Sequence, residues 1–131
     1  MIPSLIVSVT SHPPRFGSLR ESLRSLLQQD VRPTSVVLWL APDELAQLPE
    51  AVLKLDGLTI RQCETIRSYQ KLVPALRAYP EAHILTADDD LVYPRSWVRS
   101  FVDAYQGTRE ILVRRGRQIV SDAAYEAWPV I

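Results

Sequence analysis

The chain has 131 residues, 47% of them apolar and 23% charged, which fits one globular domain over residues 1–131 and excludes a disordered segment. Fifteen basic and fifteen acidic residues cancel, removing the long-range attraction that nucleic acid or an anionic membrane would exert, so neither is expected as the main partner. Cys63 is the single cysteine and no run of about 18 apolar residues occurs, so an intramolecular disulfide and a transmembrane helix are both ruled out and a reducing, cytoplasmic setting is expected.

Met1 to Val9 is apolar but short and lacks a basic leader, so it reads as a first strand, centred on Ser4 to Thr10, and not as a signal peptide. Ser11-His12-Pro13-Pro14-Arg15 follows as a stiff loop, because each proline fixes its own φ and restricts its predecessor. A helix is predicted from Phe16 to Gln29, with Phe16, Leu19, Leu23, Leu26 and Leu27 on one stripe. Ser35 to Leu40 is a second strand. Ala41 to Leu55 reads as a loop with short helical turns, stopped by Gly57.

Leu58 to Cys63 alternates apolar and polar residues, as a strand near a sheet edge does. Ser68 then caps a predicted helix whose stripe is Tyr69, Leu72, Val73, Leu76 and Tyr79, with Pro74 expected to kink or restart it. His83 to Ala87 reads as a buried strand. Pro94 opens a helix with Trp97, Val98, Phe101, Val102 and Tyr105 on one face, ending at Gly107. Glu110 to Arg114 is read as a further strand, and Ser121-Asp122 as the cap of a short helix through Tyr125 and Trp128.

Strand and helix alternate throughout, which implies a mostly parallel sheet with helices on both faces: an α/β, three-layer α/β/α architecture. Ligands of such sheets bind outside the carboxyl ends of the strands. Thr10 to Arg15, Glu64 to Lys71 and Asp88 to Asp90 all fall on that edge.

Asp88-Asp89-Asp90 closes the His83 to Ala87 strand. Unit charges about 4 Å apart repel by roughly 4 kcal/mol at an effective dielectric of about 20, so converging aspartates call for a counter-charge. Mg²⁺ takes about one or two carboxylates together with substrate phosphates, which points to a metal–phosphate site. The plainer alternative has one aspartate capping a turn and the others facing water. No G-x-G-x-x-G, Walker A, G-x-S-x-G or H-E-x-x-H pattern is present.

The segments Ile6-Val7-Ser8-Val9-Thr10-Ser11 with Pro13-Pro14-Arg15, Arg67 to Leu76, and Leu85 to Pro94 together resemble the GT-A-fold glycosyltransferases, in particular the family 2 glycosyltransferase-like group. The resemblance implies a GT-A fold and transfer of a sugar from a nucleoside diphosphate sugar to the hydroxyl of a glycan or other acceptor. It implies a D-x-D-type motif holding Mg²⁺ or Mn²⁺, with Asp88 and Asp90 as metal ligands and Thr10, Ser11, Arg15, Arg67, Lys71, Asp88 and Asp89 around the donor. For Lys71 and Arg67 the competing reading is a solvated surface cation. Arg114, Arg115 and Arg117 read more naturally as a solvated strand end than as phosphate ligands.

Enzymes of this kind generally continue beyond the length of this chain, so the donor half is expected here and the acceptor part is not. No base is identified; Glu110, Asp122 and Glu126 are the acids available. An incomplete acceptor side would leave apolar surface, which pairing with another copy, as a homo-oligomer, or with another chain would cover. Two other readings stay open: a module that binds a nucleotide or nucleotide sugar without turnover, and a phosphoryl-transfer domain. The last is weakened because Thr10-Ser11 stands where such domains place an aspartate.

Overall fold

The structure, a computed structural model, describes residues 4–107, 111–114 and 122–130. Its frame is a four-stranded, all-parallel sheet in the order β3-β2-β1-β4. The strands are β1 (Leu5–Thr10), β2 (Ser35–Leu40), β3 (Leu58–Gln62) and β4 (His83–Thr86). The helices are α1 (Phe16–Leu27), α2 (Pro42–Leu45), α3 (Glu50–Leu53), α4 (Val73–Ala78) and α5 (Trp97–Ala104).

Alternate side chains of a strand face opposite ways, and the two faces of this sheet are covered by different helices. Leu5, Val7, Val9, Val36, Leu38 and Leu40 join Leu19, Leu23 and Leu26 of α1, Val52 of α3, and Trp97 and Val98 in one core. Ile6, Val37 and Trp39 on the reverse face pack with Ala75 of α4. Leu19, Leu23 and Leu26 are fully buried, each contributing about 1.5–3 kcal/mol relative to an exposed leucine. Helices thus flank the sheet on both sides, an arrangement compatible with three α/β/α layers.

The strand order fixes where a ligand can sit. The chain runs β1 to β2 to β3 in one direction, then returns to place β4 on the other side of β1. With right-handed crossovers, this reversal puts α1 and α4 on opposite faces. Between the carboxyl ends of β1 and β4 it opens the crevice that such sheets use for ligands.

Several expectations need correction. β4 is an edge strand of the described sheet, paired only with β1 and half-buried, not the interior strand its apolarity suggested. The Tyr69–Tyr79 stripe does not form one helix. Arg67–Lys71 is a 3₁₀ turn, and α4 restarts with Pro74 in its first turn. A 3₁₀ helix advances about 3.0 residues per turn, so the phase is lost across the break. Gln70 and Ala75 are buried instead, while Tyr69, Leu72 and Leu76 stay exposed. Ser68 lies inside the 3₁₀ turn, which starts after Ile66 without a side-chain cap.

Helix α5 begins at Trp97, after a turn in which its N–H reaches the Pro94 carbonyl, and not at Pro94. Ile111–Arg114 carries no strand; Glu110 and Ser121 lie outside the described residues. The last short helix is a 3₁₀ turn, Tyr125–Ala127.

Candidate functional site

A cleft of about 600 Å³ opens at the carboxyl ends of β1 and β4. Every donor or metal residue expected from the sequence lines it: Thr10, Ser11, Arg15, Arg67, Lys71, Asp88, Asp89 and Asp90. The loop after β1, the 3₁₀ turn before α4 and the acidic loop after β4 therefore converge.

The three aspartates have different surroundings. Asp89 turns inward and is only 5% exposed. It accepts a hydrogen bond from Ser11 Oγ at 2.6 Å and pairs with Arg15 Nη2 at 2.8 Å. The same Arg15 nitrogen lies 2.7 Å from Asp90 Oδ2. Lys71 Nζ reaches Asp88 Oδ1 at 2.9 Å from the opposite wall. The side chains of Asp88 and Asp90 are both about half exposed. Two basic side chains therefore relieve the repulsion for which the sequence had suggested a cation.

The acidic loop is fixed through its backbone. Ser18 and Ser22 of α1 donate to the carbonyls of Asp89 and Asp88. Ser25 Oγ accepts from the Tyr93 N–H, and Gln29 binds both the Pro94 carbonyl and the Val98 N–H. Tyr93 Oη in turn accepts from the Asp88 N–H at 2.7 Å. Burial, followed by the three nearby aspartates, raises the Tyr93 phenol above its ordinary pKa against the opposing Asp88 hydrogen bond, so it stays protonated at neutral pH.

The opposite wall hangs on Gln70, which is 1% exposed. Its amide nitrogen donates to Thr10 Oγ1 and Glu44 Oε1, and its oxygen accepts from the N–H groups of Ile66 and Arg67. Arg67 has φ 56°, a left-handed conformation that costs a non-glycine residue about 1–2 kcal/mol. Gln70 holds that turn, and Arg67 lines the cleft with no carboxylate partner among the described residues.

The hydroxyl protons of Thr10 and Ser11 are engaged inside the protein, on the Trp39 carbonyl and Asp89 respectively. They frame the cleft, whereas Arg67, Lys71, Asp88 and Asp90 present its charged surface. Gln70, Glu44 and the polar row of α1 are site residues that sequence reasoning missed. Ser18, Ser22, Ser25 and Gln29 do recur at helical spacing, a second stripe beside the apolar one.

Arg114 donates to Ser100 Oγ and does not line the cleft; Arg115 and Arg117 lie outside the described residues. Tyr125 and Trp128 stack edge-to-face on one another. No family model and no curated protein matches the chain. Among the described residues, no helix is long and apolar enough to cross a membrane.

For a divalent ion, the described residues offer no group of three His, Cys, Asp or Glu side chains. An all-protein cage is therefore not built among the described residues. Two half-exposed carboxylates, with Arg67 lining the same cleft, instead suit an ion that draws its remaining ligands from phosphate and water, as Mg²⁺ usually does.

Proposed function

We propose that the cleft binds the diphosphate of a nucleoside diphosphate sugar together with Mg²⁺ or Mn²⁺, in a GT-A-like domain of the metal-dependent glycosyltransferase kind. The observation that carries this reading is the meeting of Asp88 and Asp90 with Lys71 and Arg15 across the β1/β4 switch point. Asp88 and Asp90 would hold the ion, which when bound neutralises charge on the departing diphosphate. Arg67 and Lys71 supply N–H donors to phosphate oxygens, and Asp89 with Ser11 keeps Arg15 in place. Transfer of the sugar to a glycan or other hydroxyl acceptor completes the proposed reaction.

A specific observation favours a second reading, a module that binds the nucleotide sugar without turnover. Asp122 and Glu126 do not line the cleft, and Glu110 lies outside the described residues. Glu44 does line it, but its Oε1 already accepts from Gln70 and the Ala41 N–H. None of these acids therefore stands free in the cleft to serve an acceptor hydroxyl, and His12 is the imidazole among its described lining residues.

Calorimetry with nucleoside diphosphates, with and without Mn²⁺, tests both readings at once. Binding that requires the ion supports a donor site; equal binding without it overturns the metal assignment. Release or transfer of sugar from a bound donor then separates enzyme from binding module.

A further inference from the structure

A second pocket, of about 730 Å³, lies between the β2–β3 edge and α4, within the range of about 300–1,000 Å³ usual for small-molecule sites. It is separate from the cleft but adjacent, since Thr65 lines both. The guanidinium of Arg61 lies 4.9 Å from the Trp39 ring and 5.7 Å from that of Tyr79. Among the described residues no carboxylate pairs with it. A guanidinium held by ring faces keeps its N–H edge free for the fork-like pairing that carboxylates and phosphates make.

Arg77 adds a second guanidinium from α4. It meets Glu64 only at 3.4 Å, a long contact between two exposed side chains. One positive charge is therefore in excess among the pocket's ionised groups, since burial and then Glu44 and Glu64 push the Cys63 thiol up to about 11 and keep it neutral. Pro42 and Pro74 supply apolar wall. Trp39 also lines the pocket, and its buried indole N–H has no acceptor among the described residues.

We infer that this pocket is an anion-binding site, taking a carboxylate or phosphate borne on a small apolar body, with Arg61 as the principal ligand and Arg77 as its support. The site is independent of the diphosphate reading. Its occupant is recognised by Arg61 and the apolar wall, not by Asp88 to Asp90.

Titration of the full chain with phenyl phosphate, benzoate and inorganic phosphate, followed by the amide and indole N–H resonances, tests it. Saturable shifts at Trp39 and at Arg61 to Thr65 are expected. The responding probe tells phosphate from carboxylate, and a weaker response to inorganic phosphate than to phenyl phosphate reports the apolar wall. Loss of a charge-assisted pair is worth about tenfold or more in affinity, so Arg61→Gln should weaken the response by at least that factor. Arg77→Gln should weaken it less, and Asp90→Ala should leave it unchanged.

Absence of saturable shifts with all three probes overturns the inference. So does a response that survives both arginine variants, or one that Asp90→Ala removes, because the ligand then occupies the main cleft. Nucleoside diphosphate binding to the Arg61→Gln variant should be retained; its loss would make Arg61 part of the main cleft and overturn a separate site.

Discussion

Ser11 Oγ donates to Asp89 Oδ2 at 2.6 Å, joining residues 78 apart in sequence across the mouth of the sheet. The bond ties the loop after β1 to the loop after β4 and gives a buried carboxylate its only hydroxyl donor among the described residues. Ser11→Ala removes that donor and leaves Arg15 alone against Asp89. Hydrogen bonds to charged groups contribute about 1.5–3 kcal/mol, so a loss of stability of that order is expected in urea denaturation. An unchanged midpoint would show that the bond is immaterial.

Asp90 behaves differently, because its carboxylate is half exposed and among the described residues pairs only with Arg15. Exposed pairs of this kind are worth about 0–1 kcal/mol, so Asp90→Ala should leave the denaturation midpoint almost unmoved. Metal-dependent binding of a nucleoside diphosphate should nevertheless disappear in calorimetry. Normal binding by this variant with Mn²⁺ present would remove Asp90 from the site.

Arg67 separates stability from recognition in the opposite sense. Glycine at this position relieves a left-handed backbone that costs about 1–2 kcal/mol, offset by roughly 0.5–1 kcal/mol of glycine chain entropy. Arg67→Gly should therefore be neutral to slightly stabilising while binding diphosphate more weakly. Parallel melting and calorimetry check the two halves of the expectation.

Gln70→Leu keeps the volume but removes both ends of the hydrogen-bond hub. It orphans the N–H groups of Ile66 and Arg67, each worth about 1–3 kcal/mol if left unpaired away from water. Faster hydrogen exchange at these two amides should accompany the fall in stability, and unchanged exchange would refute the hub.

Cys63 is expected to resist alkylation near neutral pH. Burial, followed by Glu44 and Glu64, pushes its pKa to about 11, so the thiolate needed for reaction forms only as the pH rises towards that value. The pH profile of iodoacetamide labelling should thus be displaced upwards from that of a free cysteine. Rapid labelling at pH 8 would contradict this environment.

The strands β1, β2 and β3 and the helix α1 were legible because their apolar patterns are long and periodic. Among the described residues β4 lies at the sheet edge and not in its interior, which an apolar run does not reveal because it cannot tell one neighbour from two. Ile111–Arg114 has strand-like composition but no strand pairing. The Tyr69–Leu76 stripe failed where Pro74 and a change of helix type reset the period.

In the cleft, the charged lining residues other than Glu44 could be found from their position after predicted strands. Ser18 and Ser22 left only the trace of a polar stripe on α1 and Gln70 left none, since most of their bonds reach backbone groups or side chains distant in sequence.

The carbonyls of Asp88 and Asp89 are bolted to α1 by Ser22 and Ser18, while the outward carboxylates of Asp88 and Asp90 take no part in that fastening. Side-chain chemistry at positions 88 and 90 is thereby uncoupled from the scaffold beneath it. For the proposed ion, swaps to asparagine, glutamate or histidine at these positions should change its preference while leaving the frame beneath unaltered.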